Sequence, residues 1–449
     1  MEEKNTGLPT LASTTIWMIS LGYLGVQIAF TLETSQMSRI FQTLGADPTK
    51  LGWFFILPPL AGLVVQPGIG SLSDRTWIPK IGRRLPYLLV GMIFAVITMI
   101  LLPNVGSFGL GYGSIEALIF GAVAIAILDV ASNMAMQPFK MMIGDMVNDE
   151  QKSYAYGIQS MLSNFGAVIA AFFPFLLTSL GVANTAKKGV VPQSVIISFY
   201  VGAAVLVITS LFTIFRVHEY DPETYARYHG IKESDNQEGG GWIELLKKAP
   251  KVFWQVSLVQ FFCWISFQYL STYATGAIAQ NVWNTTNASS AGYQIAGNWF
   301  GVLSAIEVVV AIIWGLVLTK LNDKIRKPAY SFGMLVGALG FWGLSVAPTR
   351  FLSVIAFIGI GISWVTINSI PFTILTNALD GKHDGTYMGL FNCWICLPQI
   401  VASIASFALF PLLGNDIPHM LTVAGVLCFI GVFAVYVVKE ISVEKGDID

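Results

Sequence analysis

The sequence predicts an all-α membrane protein of twelve transmembrane helices, arranged as two pseudo-symmetric six-helix bundles with both termini in the cytoplasm. Three observations predict it. Of the 449 residues, 54% are hydrophobic and 11% charged, where soluble proteins carry about 25% charged residues. Apolar runs recur at about the 20 residues that a helix needs to cross a bilayer. The connections between them alternate between basic and nearly neutral, as the positive-inside rule requires. The net charge of −1 gives no reason to expect a nucleic-acid partner.

Taken in order, the polar opening MEEKNTGLPT lacks the basic region, apolar run and small-residue cleavage site of a signal peptide. The first apolar run, 13–33, is therefore expected to remain as a span. Further spans are read at 50–72, 86–103, 114–137, 153–179 and 194–215, closing a first bundle over 1–215. The polar stretch 216–251 reads as a cytoplasmic linker. Its ESDNQEGGG segment is flexible, and its WIELLKKAPK segment is amphipathic, with Trp242, Leu245 and Leu246 suited to the inner membrane surface. A second bundle, 252–449, holds spans at 252–276, 295–319, 328–347, 351–378, 386–412 and 417–438 and a short cytoplasmic tail.

Charge tests this count. Of the 25 Lys and Arg, only Arg39, Lys50, Lys187, Lys188 and Arg350 fall outside the cytoplasmic segments. One span too many or too few would scramble that asymmetry. The sequons at Asn284 and Asn287 lie in an exterior loop. The stretches GSLSDRTWIPKIGRR and TKLNDKIRK follow the second and eighth spans, a weak repeat in matching places. Two parallel repeats of this kind put a substrate site between the halves near mid-membrane.

Cys393 and Cys396 form a CxxC inside an apolar run with no histidine in the same span, and read as packed helix. His218, His229, His383 and His419 fall in or beside loops, which leaves no buried metal site or His-based centre to assemble. Without a nucleophile–base pair in the spans, no enzyme is expected. A sensor would need a long soluble domain, and linker and tail are short.

The sharpest local pattern is Gly70, Asp74 and Arg75 followed by Gly82, Arg83 and Arg84. Gly70 permits close helix approach, and Asp74 can pair with an arginine or cap a helix N-terminus. Such a gating loop can hold one arrangement of the halves and release the other.

Asp129 sits midway along ILDVASNMAMQPFK. On a helix it shares a face with Ala122, Ala126, Asn133 and Met136, and Asn133 can hydrogen-bond it one turn on. A carboxyl in lipid costs roughly 2.5–3.5 kcal/mol on insertion scales, and intramembrane acids are functional by default. A low-dielectric site favours the neutral acid, ready to exchange a proton when one side opens to water. Glu307 is a second acid at membrane depth, able to share coupling or to meet substrate. Glu33 and Glu116 lie nearer span ends and read as interfacial.

A small polar substrate held at mid-membrane needs amides for its hydrogen-bonding groups and aromatic faces for its apolar surfaces. The seventh span supplies Gln260, Trp264 and Gln268 every four residues, with Tyr269 and Tyr273 nearby. Gln27, Asn164, Asn298, Asn368, Asn392 and Gln399 are further amides at depth, each serving either substrate or helix association.

The G-x-x-x-D-R…G-R-R loop resembles the signature loop of the major facilitator superfamily. More narrowly, GVQIAFTLETSQMSRIFQTLG, LPPLAGLVVQPGIGSLSDR, GRRLPYLLVG, ILDVASNMAMQPFK and MGLFNCWICLPQIVAS resemble the sucrose and related disaccharide–proton symporters, a group near the glycoside–pentoside–hexuronide–cation symporters. The resemblance covers most of the chain. It implies the major facilitator fold, a cell-membrane protein working as a monomer, and import of a maltose- or sucrose-like disaccharide with a proton and no other cofactor. It places proton coupling on Asp129. Uncoupled facilitation and sodium coupling stay open beside it. The chain departs at Lys140, where many relatives have arginine. Lysine lacks the planar fork that grips a carboxylate or sugar hydroxyls, and topology alone can account for it.

Overall fold

A computed structural model describes residues 8–229, 246–318, 323–379 and 384–439, and among them the regular structure is helical apart from one β-bridge at Ile78 and Gly82. The long helices are α1 (Ser13–Leu44), α2 (Leu57–Arg75), α3 (Leu85–Leu101), α4 (Ile115–Met146), α5 (Asp149–Ser179) and α6 (Gln193–Arg216). They continue as α7 (Lys251–Trp283), α8 (Ala291–Leu318), α9 (Asp323–Val346), α10 (Arg350–Asn377), α11 (Asp384–Leu412) and α12 (Ile417–Val437).

Local sequence sets many of the ends. Ser114, Asn148 and Thr349 cap α4, α5 and α10, accepting N–H bonds from Ala117, Gln151 and Leu352 at 3.1, 3.0 and 3.3 Å. Gly45 closes α1 at φ 101°, a left-handed turn that suits glycine. Proline recurs inside helices, at Pro138, Pro174, Pro328, Pro371, Pro398 and Pro411. In membrane helices, neighbouring groups can take up the backbone bond that each proline frees.

Among the described residues, eleven helices are long and apolar enough to cross a membrane. The exception is α7, 33 residues long but rich in Gln, Ser and Thr. Its burial on almost every side explains this, since a helix wrapped in protein need not be apolar all round. The second expected span, 50–72, is broken. A short helix, Leu51–Phe55, turns at Ile56 into α2, which opens on Pro58 and Pro59. The amphipathic reading of the linker lies mostly outside the described residues. An unexpected short helix, Pro222–His229, follows α6.

Helix pairing repeats along the chain. The pairs α1·α6, α2·α4, α3·α4 and α3·α6 recur as α7·α12, α8·α10, α9·α10 and α9·α12. Across the halves, α1 packs on α7 and α8, α2 on α11, and α5 on α8. Hydrogen bonds between the halves gather at the far end, away from where α1 begins and α12 ends. Ser38 Oγ donates to the Thr272 carbonyl at 2.8 Å, and Gln268 donates to the Phe55 carbonyl at 2.7 Å.

Candidate functional site

Asp129 on α4 and Glu33 on α1 are both fully buried. They sit where α1 packs on α4, near enough for each carboxyl to feel the other's charge. No donor among the described residues reaches any of their four oxygens. Two carboxyls buried together without a donor cannot both be charged at low cost.

The interfacial reading of Glu33 is thereby corrected. The sequence turns polar after 33, but α1 runs on to Leu44 because Ser35, Gln36, Ser38, Arg39, Gln42 and Thr43 are buried in protein rather than lying in a loop. Glu116, in contrast, is exposed on the first turn of α4.

Asn133 does not reach the Asp129 carboxyl. It donates to the Asp129 backbone carbonyl at 2.9 Å, and its own oxygen accepts from Gln66 on α2 at 2.7 Å. Glu307 stands apart from the pair, half-buried on α8 beside Gly361 of α10. Lys140 is exposed, eleven residues beyond Asp129 and so on nearly the same face of α4.

The expected substrate residues fall into two sets. Gln27 accepts from Ser163 of α5 at 3.0 Å and donates to Thr31 at 3.3 Å. Asn164, Asn392 and Gln399 are half-buried, and Asn368 is exposed. Trp264 keeps 8% of its surface exposed and meets Trp364 edge-on with centroids 5.5 Å apart. Ser160, Asn368 and Thr373 are exposed polar residues on long apolar helices, which fits a wet wall better than a lipid face.

The second set is buried and turned at least in part to protein partners, although the Gln260 Oε1 and Tyr273 hydroxyl find none among the described residues. Gln260 is fully buried and donates to the Ile367 carbonyl at 3.0 Å. Gln268 bonds Phe55 and Ser403, Tyr273 stacks on Phe410, and Asn298 joins a cluster at the far end. A spacing of four advances about 40° around a helix at each step. Gln260 and Gln268 therefore face different neighbours, and the sequence pattern overstated their company.

The gating-loop residues lie at the near end. Gly70 and Asp74 fall on the last turns of α2, the Asp74 side chain outside the described residues, and Arg75 is exposed. Arg84 is buried, donating from Nε to Asp145 of α4 at 2.8 Å and to Ser73. The Arg83 guanidinium lies 4.1 Å over the Tyr225 ring, and Tyr225 donates to Asp145 at 3.3 Å. Glu219 accepts the backbone N–H groups of Arg83, Arg84 and Leu85 at 3.1, 2.9 and 2.9 Å. Gly82, at φ 118°, backs onto that carboxyl where a side chain would collide. Burial pushes Glu219 up from its ordinary value even though the three N–H donors pull the other way. The loop is thus tied to α4 and to the segment after α6. Asp145, Glu219 and Tyr225 carried no pattern in the sequence that would have singled them out.

The four cysteines are free, Cys393 and Cys396 included. The Major Facilitator Superfamily model matches residues 17–403. The chain is 23% identical to "Sucrose transport protein SUC4" of Arabidopsis thaliana over 94% of this chain and 89% of that one. It is 24% identical to "Sucrose transport protein SUT2" of Oryza sativa subsp. japonica, over 91% and 89%. Among solved structures it resembles the nucleoside transporter NupG, with TM-score 0.67, 14% identity and coverage of 95% and 99%. It also resembles a bacterial homolog of the human lysosomal transporter Spinster in an inward-facing, occupied conformation, with TM-score 0.67, 14% identity and coverage of 95% and 96%.

Proposed function

We propose, since the chain belongs to the major facilitator superfamily, that it is a secondary transporter importing a maltose- or sucrose-like disaccharide with a proton by alternating access. The relatives named as sucrose transport proteins support the substrate class, over nearly the whole chain. The observation that carries coupling is the Glu33–Asp129 carboxyl pair, buried on two helices of one half with no donor to its oxygens among the described residues. It takes up a proton when water reaches it from one side and gives it up to the other.

In this reading α7 completes twelve spans, residues 1–215 and 252–449 form bundles that rock about a central site, and both termini are cytoplasmic in the cell membrane. The far end is then the outside. The bonds that close it, with the wet wall of Ser160, Asn368 and Thr373 nearer the cytoplasm, describe an inward-open state. Gln27, Asn164, Asn368, Asn392, Gln399 and Trp264 line the sugar's path, with Lys140 at its inner mouth. The protein works as a monomer and needs no cofactor beyond the proton.

A proton crossing 100 mV supplies about 2.3 kcal/mol, enough for roughly a 50-fold sugar gradient. The test is uptake into proteoliposomes, sugar by sugar, at fixed sodium with and without a proton uncoupler. Accumulation that collapses with the uncoupler is expected. Accumulation that follows sodium instead, or uptake that never exceeds equilibrium, would replace proton coupling by sodium coupling or facilitation.

A further inference from the structure

Arg39 on α1 is fully buried. Its Nε donates to Gln294 at 2.7 Å, and one terminal nitrogen donates to Asn298 at 2.7 Å and Gln36 at 3.3 Å. The other donates to Asn184, in the connection between α5 and α6, at 2.9 Å. Gln294 and Asn298 belong to α8, in the other half. They bond back across the divide, Gln294 to Thr43 at 2.9 Å and Asn298 to Thr178 at 2.8 Å. Gly297 lets this happen, because a side chain there would run into the Arg39 stem.

The partners of this guanidinium are amide oxygens, and among the described residues no carboxylate pairs with it. That choice has a consequence. Parting a buried arginine from a carboxylate leaves a second charge stranded, whereas parting it from amides leaves neutral groups that water satisfies. A cluster of this kind can hold two halves together and still come apart on each cycle.

We infer that Arg39 is the positioning residue of the outer gate, the cross-half latch whose release from Gln294 and Asn298 opens the central site to the outside. The inference rests on the alternating-access reading. Arg39 lies six residues along α1 from Glu33, about 9 Å by helical rise. One helix thus carries both the carboxyl that holds the proton and the arginine that holds the gate.

The test uses two reporter positions on the full-length protein in membranes without sugar, with labelling of the unsubstituted protein as background. Ala171→Cys lies on α5, buried against Gly301 of α8, and reports outer opening to an impermeant maleimide added outside. Ser160→Cys, exposed on the wet wall, reports inner opening to the same reagent in inverted vesicles. Arg39→Gln is expected to speed outer labelling tenfold or more and to slow inner labelling. Asn298→Ala should move both the same way by a smaller factor. A protein that is merely loosened would label faster at both positions, and that result overturns the latch, as do unchanged rates in folded protein. Should Arg39→Gln fail to reach the membrane, Asn298→Ala decides alone. Because labelling needs no sugar, a latch that fails leaves uptake intact, and absent uptake with opposed labelling shifts would count against transport instead.

Discussion

For single residues, the proton site proposed at Asp129 and Glu33 gives a direct expectation. Asp129→Asn should reduce uphill accumulation from as much as about 50-fold to equilibrium while sugar counterflow persists, because asparagine keeps hydrogen bonding but carries no proton. Glu33→Gln should do the same. Proton-driven accumulation at the wild-type level in Glu33→Gln would remove Glu33 from coupling. Trp264, with its remaining exposed edge beside Trp364, should contribute a face to the sugar. Trp264→Ala is expected to weaken binding about fivefold, the worth of roughly 1 kcal/mol of ring contact. Titration calorimetry showing unchanged affinity for every transported sugar would exclude it. Asp129 was legible in the sequence as a charge within an apolar run. Glu33 was not, because it stands at the edge of a polar stretch that looks like a loop until its burial is seen.

At the scale of elements, the loop before α3 is held by an acceptor supplied from far along the chain. Glu219 takes three successive N–H groups at the start of α3, donors that a helix cannot satisfy itself. Glu219→Ala should cost about 1–3 kcal/mol and lower the melting temperature of the purified protein by a few degrees. An unchanged thermal transition would mean that water replaces the carboxylate at no cost. Asn148→Ala, removing the cap of α5, should cost about 1 kcal/mol, read in the same scan. Helix existence and order were legible from apolar length alone. The ends were not, since α1, α4 and α7 run well beyond the apolar runs that announced them. A buried polar turn and a surface loop have similar compositions, and only packing separates them.

At the scale of the whole molecule, the halves are joined at one end. Ser38 on α1 bonds the Thr272 carbonyl on α7, so the paired variant Ser38→Cys and Thr272→Cys should be captured by a short thiol crosslinker. Crosslinked protein is expected to lose more than about nine-tenths of transport, since a cycle that must open this end cannot proceed. Full activity after complete crosslinking would show that these helices need not part. Helicity and membrane residence were legible along the chain, because apolar length answers to bilayer thickness one segment at a time. The sequence also marked Asp129 and the arginine-bearing loop, because a charge in an apolar run stands out locally. That Asp129 packs beside Glu33, that Asp145 and Glu219 hold the loop, and that Arg39 bridges the halves came from the packing alone. Those partners lie on different helices, and their pairing is set by how the helices pack, for which no spacing along the chain exists.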